Sequence, residues 1–298
     1  MKYVAAVDVG GTSIKAALVS SDFQIIESAS TPTPKGDLSG ELTAHAIAQL
    51  VSQFEEKHPV SGVGLAVPGA LDEPAGVCRW AGNLGWKNIP IVDLVRRATN
   101  RPVAFKHDVR VGMVAEMRSG AAQGFANAIF IPIGTGIASA LVIDGEIRSA
   151  DGYAGEIGHV NVGHQRLCVC GNYGCLEAIS SAHSIGENYR EISGKSATSE
   201  EIFNLAHSDD ATAKKVWDEA VHYLAVACEQ LITILSPEAI IFGGGVSVAG
   251  DNLLEPLKRE LKSRLTFQRM PQLLIAHYGA QAGTIGCAIL ALDAVGAE

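Results

Sequence analysis

Apolar positions along the chain fall into short runs punctuated by glycine and longer stretches with helical spacing. Residues 3–9 read as a buried strand, Gly10-Gly11-Thr12 as a turn, and residues 13–20 and 23–30 as the strands that complete a β-meander, before Pro32 and Pro34 break regular structure. Leu42, Ala46, Ile47, Leu50, Val51 and Phe54 keep one face of a helix, and residues 63–67 form a strand stopped by Pro68-Gly69. A helix over 91–99, a strand over 102–105 and a helix over 109–119 follow. Residues 128–133, Gly134-Thr135-Gly136 and residues 137–143 then restate the opening strand, glycine turn and strand, and Asp144-Gly145 signals a hairpin returning through 146–148. This repetition predicts two related lobes. The tail holds a long helix over 214–235, a strand over 239–242 feeding Gly243-Gly244-Gly245, a last strand over 273–277 and an apolar closing helix over 282–295.

The 298 residues are 47% hydrophobic and 18% charged, enough to bury a substantial core. A net charge of −9 without a long basic run argues against a nucleic-acid surface. No signal peptide is visible and no apolar run of about 18 residues or more is read, so no membrane span is expected and the setting is cytoplasmic. Without a secretory context the six cysteines are not a disulfide framework. Cys228 and Cys287 lie in apolar helical patterns and read as buried small hydrophobes.

His159, Cys168, Cys170 and Cys175 offer one imidazole and three thiolates, a complete tetrahedral shell for zinc, with Gly171 and Gly174 to fold the backbone around it. A closed shell leaves no open position for chemistry, so the metal holds a loop in place. Asp8, Gly10, Gly11, Thr12 and Lys15 put a carboxylate at a strand end, then two glycines and a hydroxyl. This suits a phosphate and a hydrated Mg²⁺, or an ordinary Gly-Gly hairpin. Gly134-Thr135-Gly136 and Gly243-Gly244-Gly245 repeat the device after apolar strands, and the three together suggest a nucleoside triphosphate held between lobes. Asp108, between a strand and a helix, fits either a general base or a helix N-cap.

In this order and over nearly the whole chain, Asp8-x-Gly-Gly-Thr-x-x-Lys15, Gly134-Thr135-Gly136, Gly155-Glu156-x-Gly-His159, Cys168-x-Cys-Gly-x-x-Gly-Cys175-x-Glu177 and Gly243-Gly244-Gly245 resemble the ROK family of bacterial sugar kinases and repressors. The resemblance implies an α/β, two-lobe actin/hexokinase-like (ribonuclease H-like) fold with a mixed sheet in each lobe. Residues 1–107 would form the N-terminal lobe and 108–281 the C-terminal lobe, with a closing helix about 282–298 packed back on the first. It implies ATP- and Mg²⁺-dependent phosphorylation of a hexose at its 6-hydroxyl, with structural Zn²⁺. Asp108 would be the general base, and Gly69, Asn83, Glu156, His159 and Glu177 would line the sugar pocket. Asn83-Leu84-Gly85-Trp86 resembles the glucokinase segment and favours glucose; N-acetylmannosamine, N-acetylglucosamine and fructose are the alternatives within the class. The repressors carry an added N-terminal helix-turn-helix, for which a phosphate motif beginning at Asp8 leaves no room. Small-molecule partners only and a homo-oligomer, dimer or tetramer, are expected by resemblance. Two positions depart from the family pattern: His107 stands where Asn usually precedes the catalytic Asp, and Ile137-Ala138-Ser139-Ala140 follows the second turn in place of further glycine.

Overall fold

The computed structural model describes residues 2–296. In chain order the elements are β1 (Tyr3–Val9), β2 (Ser13–Ser20), β3 (Ile25–Pro32), α1 (Glu41–Glu55), β4 (Val60–Val67), β5 (Ala70–Asp72), β6 (Val77–Ala81), β7 (Trp86–Ile89), α2 (Ile91–Thr99), β8 (Val103–His107) and α3 (Asp108–Ser119). They continue as β9 (Ala128–Pro132), β10 (Ala140–Ile143), β11 (Glu146–Arg148), α4 (Glu177–Ser180), α5 (Ala182–Ser193), α6 (Ser199–Ala206), α7 (Ala211–Leu235), β12 (Ala239–Gly243), α8 (Asp251–Arg264), β13 (Gln272–Ile275) and α9 (Ala282–Gly296).

The predicted repetition is present at the level of whole sheets. One five-stranded sheet runs β3-β2-β1-β4-β8 and the other β11-β10-β9-β12-β13. In each, the first three strands are antiparallel neighbours and the last two add in parallel. Asp144 and Gly145 both have positive φ, the type I′ geometry that joins β10 to β11. A third sheet, β5-β6-β7, went unread because its strands are three to five residues long and carry no alternating pattern. Pro32 ends β3 rather than preventing it, since β3 is an edge strand on which a missing N–H costs little. The strand expected from Ile137 begins only at Ala140; Ile137 makes a single bridge to Ile133.

Contacts divide the chain into two units. The first runs to Gly120, takes in Ser149–Tyr153 and resumes at Gln281; the second is Ala121–Arg148 with Ala154–Ala280. The boundary therefore falls after Gly120 and not at 107/108, because α3 packs on α9 and shares its core. Val111, Met113 and Ala115 of α3 are buried, and a Cβ at Gly286 of α9 would run into the Val111 carbonyl. Ser149–Tyr153 joins the first unit because Gly152 lies directly on the Leu71 backbone, with φ +93°. In the second unit α7 carries the apolar face read from the sequence, burying Val216, Trp217, Ala220, Val221, Leu224 and Cys228.

The closing apolar stretch is longer than the sequence reading made it. Gly279–Gly296, 18 residues, is long and apolar enough by composition to cross a membrane. Its helical part is here a core element, as expected for the closing helix, packed on β1, β4 and β8 with Ile285, Cys287, Ala288, Ile289 and Ala291 buried. Each buried Ile contributes about 1.5–3 kcal/mol, but the fit is set by glycine. A Cβ at Gly64 of β4 would collide with the Cys287 carbonyl, so helix and strand meet backbone to backbone. Gly64→Ala is therefore expected to destabilise the protein by about 1–3 kcal/mol or more, read as a lowered denaturant midpoint, whereas Gly36→Ala, where a Cβ meets nothing within 4 Å but φ is +72°, tests backbone strain alone.

Candidate functional site

In the first unit the parallel strands β1, β4 and β8 end on one edge of the sheet. Asp8 on β1 is in register with Ala66 on β4, and Ala66 with Lys106 on β8, so Asp8, Pro68-Gly69 and Asp108 all fall at that edge. Burial pushes the Asp8 carboxyl up to about 6; the negative charge of Asp108 adds to the rise, and Lys15, its cross-strand partner on β2, opposes it. Gly10 and Gly11 make the β1–β2 turn, which Thr33 ties down by donating its hydroxyl to the Gly10 carbonyl at 2.6 Å. Asn83 lies over this turn: a Cβ on Gly11 would stand 3.2 Å from the Asn83 Cβ. The phosphate-loop candidate and one sugar candidate are thus neighbours. Gly69 has its own steric reason, since φ is +102° and a Cβ would enter the Trp80 carbonyl.

Asp108 is the first residue of α3, and the N-cap is His107. The Val109 N–H donates to Asp108 Oδ1 at 2.7 Å, and His107 Nδ1 lies 3.0 Å from the same oxygen. The Asp108 side chain is 41% exposed. The junction of β8 and α3 is clamped by Glu73, which accepts from Lys106 Nζ at 2.8 Å and Arg110 Nε at 2.7 Å. Sequence reasoning passed over Glu73 because nothing local marks it; only the fold brings it beside residues 106–110.

In the second unit the motif around Glu156 packs against the glycine turn after β9. A Cβ at Gly155 would enter the Ser139 carbonyl, and one at Gly158 the Ile137 carbonyl. Glu177 Oε2 accepts the Ile137 N–H at 2.8 Å, and Gly136 leaves that carboxylate its space. Ser139, at a position that departs from the family pattern, donates its hydroxyl to the Gly155 carbonyl at 3.0 Å, so it holds the motif in place. Glu156 and His159 are exposed and Glu177 half-buried.

The metal candidates converge as predicted. Ligand atoms of His159, Cys168, Cys170 and Cys175 lie within 4.8 Å of one another. Cys168 Sγ is 3.8 Å from His159 Nδ1, and Cys170 Sγ is 3.7 Å from Cys175 Sγ. Two sulfurs bound at ~2.3 Å to one tetrahedral ion stand ~3.8 Å apart, so the cage fits zinc in both donor chemistry and size. Burial and the neighbouring sulfurs push the Cys175 thiol up to about 12; a dication among the sulfurs reverses that balance and favours thiolate. Gly171 and Gly174 both have positive φ, and a Cβ at Gly174 would meet the Asn161 side chain at 2.8 Å. His164 was missed. It is buried, receives the Arg166 N–H on Nδ1 at 3.0 Å and donates Nε2–H to the Cys175 carbonyl at 2.9 Å, bracing the loop from behind.

The two glycine turns of the second unit are joined. Ile133 N–H donates to the Gly243 carbonyl at 2.9 Å, and Val246 N–H to the Ile133 carbonyl at 3.2 Å. Gly243 and Gly244 are required by the Phe130 ring and the Ile133 backbone. Gly134 and Gly245 are different: a Cβ on either would meet nothing within 4 Å. Packing therefore gives no reason for glycine at either position. Beside Gly245 lies a cavity of about 220 Å³ lined by Phe203, Asn204, Trp217, Val246 and Ala249. These residues come from α6, α7 and the segment after β12, a convergence no local pattern signals.

The ROK family model matches residues 4–294. A glucokinase of Halalkalibacterium halodurans is 34% identical, over 96% of this chain and 93% of its own length. An N-acetyl-D-glucosamine kinase of Histophilus somni is 29% identical, over 96% and 98%. The crystal structure of a ROK family glucokinase from Streptomyces griseus in complex with glucose and AMPPNP is 27% identical and superposes with a TM-score of 0.83, covering 98% of this chain and 99% of that one.

The Asp8 shift carries a stability consequence. A carboxyl whose folded value is raised binds its proton more tightly in the folded state, so its contribution is present at low pH and is lost as pH climbs from about 4 to about 6. Asp8→Asn is therefore expected to raise the thermal midpoint at pH 7.5 by roughly 2–4 °C and to change it much less at pH 4; an equal change at both values would contradict the assignment.

Proposed function

This chain belongs to the ROK family and is a sugar kinase within it, and we propose that it transfers the γ-phosphoryl group of MgATP to the 6-hydroxyl of a hexose, with glucose the preferred acceptor and Asp108 the general base. The observation that carries this reading is the placement of Asp108. It sits at the C-terminal end of β8 in the first turn of α3, with Oδ1 fixed by Val109 and Oδ2 without a partner among the described residues. Phosphoryl transfer asks for positioning more than covalent work. Oδ2 accepts the O6 proton and aligns that oxygen for attack; a positioned base of this kind supplies about 10²–10⁴-fold.

The other residues take the roles their surroundings allow. In the first unit Asp8, Gly10, Gly11, Thr12 and Lys15 are assigned to phosphate, and in the second unit Gly134, Thr135 and Gly136 are; Mg²⁺ bound with the nucleotide would neutralise its charge. The open space at Gly134 and Gly245 and the 220 Å³ cavity beside Gly245 support a nucleotide lying along the second unit, its base among Phe203, Asn204 and Trp217. In the first unit Asn83 is assigned to a sugar hydroxyl, with Gly69 beside it in the pocket wall, and in the second unit Glu156, His159 and the Oε1 side of Glu177 are assigned to sugar hydroxyls. His159 Nδ1 and the three cysteines would hold zinc, which would fix the loop and leave His159 Nε2 for a hydroxyl. The glucokinase relatives favour glucose, and the N-acetyl-D-glucosamine kinase relative makes an N-acetylhexosamine the second reading. The cytoplasmic setting and homo-oligomeric state belong to the same proposal.

A coupled ADP-release assay over glucose, N-acetylglucosamine, N-acetylmannosamine and fructose is expected to give the highest kcat/KM with glucose; no turnover with any hexose would overturn the reading. Asp108→Asn should lower kcat about 10³-fold while calorimetry still records sugar binding, and unchanged turnover would refute the base. Elemental analysis should find about one zinc per chain, lost in Cys175→Ser together with sugar affinity. A metal-free protein with full sugar affinity would exclude the metal's role.

A further inference from the structure

Of the three tryptophans, all among the described residues, Trp86 and Trp217 are 2% and 4% exposed, whereas Trp80 is 61% exposed. Trp86 also satisfies its donor, giving Nε1–H to the Asp37 carbonyl at 2.8 Å. The Trp80 Nε1–H makes no hydrogen bond, and no ring stacks on its indole, among the described residues. Exposure alone decides nothing, since single apolar side chains are common on protein surfaces. Placement decides. Trp80 lies on β6 opposite Ala70 of β5, and its carbonyl is the atom that a Cβ at Gly69 would enter. Its indole reaches along the chain to Gly82, where a Cβ would stand 2.9 Å from both Cζ2 and Cη2. Gly82 has no positive φ, so the ring and not the backbone conformation accounts for glycine there. The next residue is Asn83, seated on the Gly11 turn. Trp80 therefore meets both sugar candidates of the first unit, with its main chain at Gly69 and its ring at the residue before Asn83.

A pyranose carries hydroxyls around its rim and C–H groups on its faces. Those C–H groups are apolar and weakly positive, and the face of an indole is apolar and negative, so the two attract. An amide such as Asn83 gives directional hydrogen bonds to the rim but does nothing for the faces. We propose that Trp80 is a sugar-stacking residue, its open indole covering the C–H face of the hexose ring whose hydroxyl Asn83 holds. This rests on the assignment of Gly69 and Asn83 to the sugar pocket. The stacked face takes no part in transfer to O6, so the contact is equally strong before and during the reaction. It therefore acts on sugar affinity and KM and leaves kcat alone. It also selects for a ring, since an open-chain polyol offers the same hydroxyls without a face.

Iodide quenching of tryptophan fluorescence on the full chain reads Trp80, because the other two indoles are buried. Saturating glucose without nucleotide is expected to lower the quenching slope by about half or more as the ring is covered, and sorbitol at the same concentration to leave it unchanged. The glucose-dependent part should vanish in Trp80→Phe, which lacks the open indole. In calorimetry and turnover assays Trp80→Ala should raise glucose Kd and KM about tenfold with kcat within about twofold, while Trp80→Phe, which keeps an aromatic face, should stay within about threefold in KM. Quenching that glucose leaves unchanged while calorimetry records its binding, an equal effect of sorbitol, or an unchanged glucose KM in Trp80→Ala overturns the proposal. Quenching that falls with rising protein concentration in the absence of sugar puts a second copy of the chain on the ring and overturns it too. If Trp80→Ala does not fold, quenching of the unsubstituted chain decides. Absence of binding and turnover with every hexose would instead sink the sugar reading itself; binding and turnover that leave Trp80 unaffected sink only this inference.

Discussion

The carboxylate of Asp8 is held at the end of β1 close enough to Asp108 for the two negative charges to oppose each other, in surroundings that already penalise charge. Nothing in the folding of a sheet asks for this. The parallel run β1-β4-β8 brings both residues to one edge, and the packing of α9 and α3 keeps them there. That opposition makes a cation or a proton beside the pair favourable. Such opposition between carboxylates marks places where chemistry, not stability, has set the sequence.

Glycine supplies the rest of the precision. Gly64, Gly286, Gly155 and Gly158 let main chains touch where any side chain would hold them apart. These contacts place α9 on the first sheet and the Glu156 motif on the second glycine turn without relying on long, mobile side chains. At Gly134 and Gly245 a Cβ would meet nothing within 4 Å. The contrast separates glycines that packing requires from glycines that packing leaves unexplained.

Much of this was legible beforehand. The repeated strand, glycine turn and strand foretold two sheets of the same order, and the His159–Cys175 spacing foretold a cage whose atoms do converge. Both signals are local, and local signals survive in a sequence. What stayed hidden depends on distant segments meeting. Glu73 reaches residues 106–110 only after β5 has crossed to β8. His164 braces Cys175 only because the loop doubles back. Phe203 and Trp217 share a cavity only once α6 lies on α7. The boundary moved from 107 to 120 for the same reason: α3 follows β8 in sequence, but its buried face belongs to a helix that begins at Ala282.

That last pairing has a consequence for how the chain is made. The second unit is complete once Ala280 has been added, whereas the first still lacks the helix that fills one side of its sheet. At about 5–20 residues per second, β1 and β4 wait for many seconds on the ribosome with an apolar face uncovered. The unit translated first is therefore the last to close, and the nascent protein must be kept from aggregating until α9 emerges.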